Sequence, residues 1–270
     1  MEAWDYLADV LNYMVFFKDT KSTAVEDNII TEAATTKTSV VENVITTTLQ
    51  ATLPTHSYYP ITLELPNFVE PTYSYVSILT MFALSIATII TISSIIIFKK
   101  SITTNNKLIF IWMNITGYIH LIVESYFALF HDKIVEDTTI LGETWKQYAL
   151  GDSRYLTSDA NVVIIERITA MVMGPLALLT SIGIYKSWPS RHLLQLTLSI
   201  GQIYGLVLYY WTTIFEGSPH SRPEAFYFWF YFVGINAIWF IVPSICMIQS
   251  WMFLSNVISD NIKRKSKKSL

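Results

Sequence analysis

Long apolar runs dominate this sequence from residue 73 onward, and short polar connections separate them. Each run exceeds the roughly 20 residues that a helix needs to cross the hydrocarbon core of a bilayer. An open sheet edge would leave backbone groups unpaired in lipid, so each run is predicted as a helix. The pattern predicts an all-α membrane protein with a five-transmembrane-helix bundle, whose spans cover approximately residues 73–98, 108–130, 162–185, 193–214 and 227–254.

Composition agrees with a chain that lies largely in lipid. Hydrophobic residues make up 52% of the 270 residues and charged residues only 14%, whereas a soluble domain carries about 25% charged residues. Two residues are expected to shape the fifth run: Pro243 to bend it and Gln249 to end its core part. The single cysteine, Cys246, also lies in this run, and we interpret it as a small buried apolar side chain.

The residues before the first run differ in character from the rest. Residues 18–55 are rich in Thr, Val, Glu and Ser without a period that could form a core, which predicts a disordered extension. The first 17 residues are acidic where a signal peptide needs a positive flank, so we expect no ordinary signal peptide. We divide the chain into a disordered, acidic, Thr-rich tail (1–55), a five-span domain (56–259) and a basic tail (260–270).

Charge predicts the orientation of the bundle. The second connection holds six acids (Asp132, Glu136, Asp137, Glu143, Asp152, Asp159) against three bases. The first connection, the third connection and the carboxyl terminus are basic instead, with Lys99, Lys100, Lys107, Lys186, Arg191, Lys263, Arg264, Lys265, Lys267 and Lys268. By the positive-inside rule these basic parts face the cytosol, and the amino-terminal tail lies on the other, lumenal side.

The carboxyl terminus carries a possible retrieval signal. Lys267 and Lys268, followed by Ser269 and Leu270, stand at the positions of a dilysine signal. Such a signal acts only on a cytosolic tail, which predicts residence in the endoplasmic reticulum membrane. The alternative is a plain basic cluster that is attracted to anionic lipid.

Two polar residues interrupt the second apolar run. His120 and Glu124 are four residues apart, so they share one helix face. His120 lies ten residues from the lumenal end of the run, roughly 15 Å deep at 1.5 Å per residue. A charged side chain near the bilayer centre costs roughly 2.5 to 3.5 kcal/mol, which predicts a functional, proton-handling pair. The alternative is an interhelical hydrogen bond that holds the bundle together.

Further polar positions fall at similar depths in other runs. Asn236 lies nine residues into the fifth run, and Glu166 lies four residues from the end of the third. Thr169 shares a face with Glu166, and Trp239 shares one with Asn236. Their convergence on the histidine is a hypothesis, because depth does not fix the helix faces. Glu166 could instead pair with Arg167 and Trp239 could be core filler, while Gln202 in the fourth run has no assigned role.

Motifs for cofactor chemistry are absent from the sequence. It has no phosphate-binding glycine loop, metal cluster, haem ligand pair or serine-hydrolase motif, and no nucleic-acid partner is expected. The predicted chemistry therefore uses protons alone, with no cofactor and no metal.

At these residues the chain resembles the emopamil-binding protein family of sterol Δ8–Δ7 isomerases. The resemblance covers approximately residues 67–259, and its Gly-Asp-Ser-Arg-Tyr loop separates it from sigma-2-receptor-like relatives. The motifs are Gly117-Tyr118-Ile119-His120-Leu121 with Glu124, Trp145-Lys146-Gln147-Tyr148-Ala149, Gly151-Asp152-Ser153-Arg154-Tyr155, Glu166-Arg167-Ile168-Thr169-Ala170, Gly174-Pro175-Leu176, Gly201-Gln202-Ile203-Tyr204-Gly205, and Tyr227-Phe228-Trp229-Phe230-Tyr231-Phe232 leading to Asn236 and Trp239.

The resemblance implies an activity and a set of site residues. It implies a five-helix bundle, often dimeric, in the endoplasmic reticulum and nuclear envelope, that moves the double bond of an 8-ene sterol to position 7. Arg167 departs from the small polar residue of animal members, and the tail before His56 has no counterpart. The implied active-site positions are His120, Glu124, Glu166, Thr169, Asn236 and Trp239, with support from Tyr148, Asp152, Arg154 and Tyr155.

A mechanism follows as a hypothesis. The His120–Glu124 pair would deliver and remove the proton, Glu166 and Trp239 would stabilise the cation, and Asn236 and Thr169 would orient the pair. Amphipathic amine drugs would then inhibit, because their ammonium mimics the cation. The rival classes are a non-catalytic binder of sterols or amines, which could lose one of these groups, and a transporter, which would need internal repeats.

Overall fold

The computed structural model describes residues 56–268, so the predicted disordered tail 1–55 and the last two residues of the retrieval signal lie outside the described part. Helices make up the regular structure of residues 56–268, and no strand occurs there. In chain order they are α1 (Tyr75–Ile97), α2 (Thr104–Phe130), α3 (Ile140–Tyr148), α4 (Ala160–Tyr185), α5 (Arg191–Phe215) and α6 (Phe226–Lys268).

Five of these helices are long and apolar enough to cross a membrane, and only α3 is not. The predicted five-helix membrane fold is confirmed. Polar caps set several of the helix starts. Ser74, Thr103 and Asp159 precede α1, α2 and α4, and each side chain accepts a hydrogen bond from the amide three residues later. The cap at Thr103 explains why α2 begins four residues before the apolar run.

Three of the spans contain a π-helical segment. In α2 it covers Ile119–Glu124, in α4 Thr169–Met173 and in α6 Phe226–Gly234. Such segments add a residue to a turn and occur preferentially at functional sites. Here each one contains or adjoins polar positions that the sequence singles out.

The fifth span is longer than predicted. Helix α6 continues past Pro243 and Gln249 and ends at Lys268 rather than near residue 254. Gln249 lies near the end of its buried part: its side-chain oxygen accepts a hydrogen bond from Gln195 of α5 at 2.7 Å, and Ser250 is the last buried residue of the helix. The lysines of the last turn favour the helix there, since cations stabilise the negative end of the helix dipole.

The spans differ in how much of their surface they bury. Helix α6 packs against α5, and α2 packs against α4. Helix α1 packs only against α2 and α3 among its main contacts, and it buries just Ile78, Ser93 and Ile97. The outward faces carry many exposed leucines, isoleucines and phenylalanines, as expected of surfaces that contact lipid.

Residues 56–72 form a strap over one end of the bundle. This strap, α3 and the turn Ser153–Tyr155 together make up what is here called the capped end. The main-chain oxygen of Tyr59 accepts a hydrogen bond from Ser153 at 2.5 Å. Lys146 of α3, which is fully buried, donates to the main-chain oxygen of Val69 at 2.7 Å. Burial lowers the pKa of this lysine. The strap is therefore tied to α3 and to the turn, which carry side chains of the site below.

A buried carboxylate fastens the end of the strap. Both oxygens of Glu143 accept from main-chain amides, from Thr72 at 2.8 Å and from Tyr73 at 2.9 Å. Hydrogen bonds to a charged group contribute about 1.5 to 3 kcal/mol. This contact also fixes the approach of the chain to α1.

We expect Glu143→Gln to lower the melting temperature in detergent. The glutamine side chain has a single oxygen as acceptor, whereas the main-chain amides of Thr72 and Tyr73 each donate to a separate oxygen of Glu143. The expected loss is about 1 to 3 kcal/mol, or about 2 to 4 °C per kcal/mol for a chain of this size. The exposed Glu136→Gln is the matched control and should melt like the parent. Equal melting of the two variants would show that the strap is held by other contacts.

Candidate active site

The π-helical turn of α2 places an imidazole against a carboxyl group. His120 and Glu124 are both buried, at 2% and 8% of full exposure. Nδ1 of His120 lies 2.5 Å from Oε2 of Glu124. The two side chains pair on one helix face, as their spacing predicts.

Glu166 of α4 forms a second acidic group beside this pair. It is buried at 7% of full exposure, and its carboxyl group interacts electrostatically with that of Glu124. Oε1 accepts a hydrogen bond from the hydroxyl of Tyr155 at 2.8 Å, whereas Oε2 is buried without a partner in the described part of the chain. Two neighbouring carboxylates in a dry site repel each other.

Asn236 is linked to this cluster through two tyrosines of the capped end. The hydroxyl of Tyr148 donates to Oδ1 of Asn236 at 2.8 Å. The rings of Tyr148 and Tyr155 meet edge to face, with centroids 4.9 Å apart. Burial raises the pKa of both phenols above the ordinary value. Both hydroxyls therefore stay protonated and act as donors.

One tryptophan stacks on the imidazole, and a second tryptophan lies against the first. The ring of Trp239 stacks on that of His120, with centroids 5.0 Å apart and planes 26° apart. Trp112 of α2 lies against Trp239, with ring centroids 5.6 Å apart. The electron-rich face of an indole attracts cations, so this wall can stabilise positive charge next to the imidazole.

Helix α5 contributes a residue whose role the sequence left open. Nε2 of Gln202 lies 3.0 Å from Nε2 of His120, on the side of the ring opposite Glu124. Gln202 is buried, and its Oε1 has no hydrogen-bond partner among residues 56–268. A polar amide inside an apolar span is the sequence feature that could have indicated a role for Gln202. The sequence does not tell which way the side chain of Gln202 faces.

The close approach of α4 to α2 depends on Gly174. A Cβ atom at this position would lie 2.7 Å from Cγ of Leu121 and 3.3 Å from Cβ of His120. A larger residue would therefore displace the side chains on the helix face that carries the imidazole. This packing gives the Gly174-Pro175 motif a physical reason.

A buried ion pair supports the tyrosines from the capped end. Arg154 Nη2 donates to Oδ2 of Asp152 at 2.7 Å, and both side chains are almost fully buried. The hydroxyl of Tyr209 donates to the same carboxylate at 2.7 Å. Arg154 also donates to the hydroxyl of Thr212 at 3.1 Å. The pair thus anchors the turn that holds Tyr155 to α5.

Two residues with predicted roles make other contacts. The hydroxyl of Thr169 donates to the main-chain oxygen of Glu166 at 3.0 Å, a bond within its own helix. Arg167 points away from Glu166 and reaches Nε2 of His131 at 3.2 Å. In the described contacts neither Thr169 nor Asn236 bonds to His120 or Glu124. Any orienting effect of these two residues therefore acts through Glu166 and Tyr148.

Comparison with known proteins identifies the family. Residues 140–250 match the model of the family EXPERA (EXPanded EBP superfamily). The chain is 39% identical to the 3-beta-hydroxysteroid-Delta(8),Delta(7)-isomerase of Rattus norvegicus over 223 residues, which cover 80% of this chain and 97% of the relative. The chain belongs to this family of isomerases.

Relatives from plants extend the comparison. A probable 3-beta-hydroxysteroid-Delta(8),Delta(7)-isomerase of Arabidopsis thaliana is 34% identical over 79% of this chain and 96% of its own length. An isomeliandiol synthase of Ailanthus altissima is 37% identical over 60% of this chain and 77% of its own length. Because the rat match covers 80% of this chain, it necessarily includes the middle, and with it His120, Glu124, Glu166 and Gln202.

We expect Asp152→Ala to destabilise this EXPERA protein strongly, because it leaves the Arg154 guanidinium buried without its partner. Breaking a buried ion pair costs about 3 to 5 kcal/mol. The measurement is thermal unfolding in detergent, with size-exclusion chromatography to detect aggregation. A matched control is Glu224→Ala, which breaks the exposed pair between Arg222 and Glu224. That variant should melt like the parent, because exposed pairs contribute little. Equal effects of both would contradict the anchoring role.

Proposed function

We propose that this chain is a sterol isomerase that moves a ring double bond from position 8 to position 7. The observation that carries the proposal is the buried pair of His120 and Glu124, with the buried carboxyl group of Glu166 interacting with that of Glu124, inside a membrane-spanning bundle. Its relatives include sterol Δ8–Δ7 isomerases that the chain covers almost completely. Migration of a double bond needs an acid, a base and exclusion of water, and this site offers all three.

The reaction divides into two proton transfers. In the first, a carboxylic acid of the site gives its proton to C9, and the electrons of the C8–C9 double bond form the new C–H bond. A cation remains at C8. In the second, a base removes a hydrogen from C7, and those electrons form the C7–C8 double bond. One proton enters and one leaves, so the sterol is isomerised without oxidation or reduction.

The roles of the residues follow from their contacts. We assign proton delivery and removal to His120 and Glu124, which share a 2.5 Å contact. Glu166 supplies negative charge beside the cation, and Tyr155 holds one of its oxygens. Trp239, whose ring stacks on His120, supplies an aromatic face for the same cation. Asn236 and Thr169 act indirectly, Asn236 through its hydrogen bond with Tyr148 and Thr169 through the main-chain oxygen of Glu166.

The alternative, a non-catalytic binder of sterols or amines, has less support. A binder would need the aromatic wall but not a buried carboxyl group in contact with an imidazole and a second one beside it. Such groups are costly to insert into a membrane protein. Their joint presence favours catalysis.

Location, topology and partners complete the proposal. The basic residues of the first and third connections and of the end of α6 favour a cytosolic carboxyl terminus and a lumenal capped end. Lys267 and Lys268 favour residence in the endoplasmic reticulum and the contiguous nuclear envelope. We further propose a lumenal tail (1–55), an isomerase domain (56–259) and a basic tail (260–270). An 8-ene sterol, membrane lipid and a second copy of the chain are the expected partners.

We expect Glu124→Gln and Glu166→Gln each to abolish conversion of an 8-ene sterol, because each removes a group that carries or balances the transferred charge. Both variants should insert into membranes normally, since an amide costs less to bury than a carboxylate. Sterol profiles of isomerase-deficient yeast that expresses each variant give the measurement. The matched control, Glu216→Gln, alters an exposed carboxylate and should behave like the parent. Full activity of either test variant would remove that residue from the mechanism.

We expect Trp239→Leu to weaken inhibition by an amphipathic tertiary amine about tenfold or more. A desolvated cation–π contact contributes up to about 2 kcal/mol, and about 1.4 kcal/mol corresponds to tenfold in affinity. The measurement is displacement of a radiolabelled amine from membranes. Trp229→Leu is the control, because Trp229 is exposed on the outward surface of α6. Unchanged amine affinity in Trp239→Leu would argue against a cation site at this ring.

A further inference from the structure

Gln202 contacts the imidazole at the nitrogen that Glu124 does not use. The two Nε2 atoms of Gln202 and His120 are 3.0 Å apart. An amide nitrogen can donate a hydrogen bond but cannot accept one. In this arrangement Nε2 of His120 must therefore be the acceptor and carries no hydrogen. The hydrogen of the neutral ring then lies on Nδ1 and points to the carboxyl group of Glu124, which is 2.5 Å away.

The other end of the same amide is unused. Oε1 of Gln202 is buried and has no hydrogen-bond partner among the described residues. A buried acceptor without a partner is unfavourable in a folded protein. Rotation of the carboxamide by 180° exchanges its oxygen and nitrogen without changing its shape. After that rotation Oε1 would accept a hydrogen from Nε2 of the ring.

These two orientations match two states of the histidine. With the amide nitrogen toward the ring, Gln202 supports a neutral imidazole whose Nε2 is free of hydrogen. With the oxygen toward the ring, it supports an imidazole that carries a hydrogen on Nε2, including the fully protonated form. A carboxamide can present either a donor or an acceptor in one place, whereas a carboxylate presents only acceptors.

We propose that Gln202 is a positioning residue that holds the His120 ring in both protonation states, by turning its amide as the proton moves. The expected effect of Gln202 on the turnover rate rests on the proposed isomerase activity. The expected effect of Gln202 on the tautomer of the His120 ring rests on geometry alone. The two can therefore be tested separately.

The chain provides a matched control on the same helix. Gln195 lies two turns before Gln202 on α5 and is also fully buried. Its amide donates to the main-chain oxygen of Cys246 at 2.8 Å and contacts no residue of the proposed site. Gln195→Met thus removes a buried amide of the same type from the same helix without touching the histidine.

The first test is spectroscopic and needs no turnover. Purified protein labelled with ¹⁵N-histidine is compared with Gln202→Met and Gln195→Met by NMR, and His120→Gln identifies the signals of His120. In the parent we expect the Nδ1–H form to dominate at neutral pH. In Gln202→Met we expect a mixture of both tautomers, because the donor to Nε2 is gone. The same signals in Gln202→Met as in the parent would overturn the proposal.

The second test is kinetic. We expect kcat of Gln202→Met to fall about tenfold to a hundredfold, with KM for the 8-ene sterol nearly unchanged, because the amide acts on the ring and not on the sterol. Gln195→Met should lower the melting temperature but leave kcat and its pH profile as in the parent. A fall in kcat that is equal in both variants would indicate general destabilisation and would contradict a positioning role.

A third variant keeps the proposal testable if Gln202→Met does not fold. Gln202→Glu has the shape of glutamine, and its protonated carboxyl group offers one donor and one acceptor, as the amide does. We expect it to retain the most activity at low pH and to lose activity as the added carboxyl group ionises. A pH profile identical to that of the parent would overturn the proposal. If the parent itself does not convert the sterol, the proposed function fails, and the NMR result alone decides the role of Gln202.

Discussion

Burial of two carboxyl groups and an imidazole inside a lipid-embedded bundle is the constraint on which the rest of this structure depends. Each charged group costs roughly 2.5 to 3.5 kcal/mol on insertion scales, and an unpaired buried ion costs more. The bundle must therefore supply a partner for almost every polar atom. Tyr155, Glu124 and Gln202 fill this need for Glu166 and His120. Eight buried side-chain atoms of the described residues have no partner, and two of them, Oε2 of Glu166 and Oε1 of Gln202, lie within the site.

Several of these partners come from outside the spans, which explains the capped end. Tyr148 lies at the end of α3 and Tyr155 in the turn that follows, and both donate hydrogen bonds to residues of the spans. Neither segment could hold its position alone, since one is short and the other is a single turn. The ion pair of Asp152 and Arg154 and the strap of residues 56–72 hold them there. The acidic character of the second connection thus reflects buried contacts such as those of Glu143 as well as a solvated surface.

Much of the architecture could be predicted from sequence because membrane insertion imposes simple rules. Long apolar runs must be helices in lipid, so the five spans and the pairing of His120 with Glu124 followed from length and spacing. The end of α6 did not, because the helix continues past the apolar run through the mostly exposed, polar and basic residues 255–268, which apolar periodicity does not predict. The convergence of the helices also could not be derived. A π-helical segment adds a residue to a turn and so rotates every later side chain, and three spans contain one. Gln202 lies on α5, which has no such segment, and the direction in which it faces depends on how α5 packs against α4 and α6.

The polar groups also explain how such a site can act on a sterol. A sterol that arrives from the bilayer exchanges contacts with lipid for contacts with protein, so apolar burial contributes little net affinity. Stacking of His120 on Trp239 contributes only about 0.5 to 1.5 kcal/mol beyond burial, so a flat ring system can replace it at small cost. In addition, the site offers negative charge and an aromatic face. These groups attract the positive charge of the cation that forms during the reaction, which the neutral sterol does not carry. Interactions that strengthen only as the cation forms lower the barrier without tightening substrate binding. An amine carries that charge permanently, so a site built in this way should bind an amine of similar shape more tightly than its own substrate.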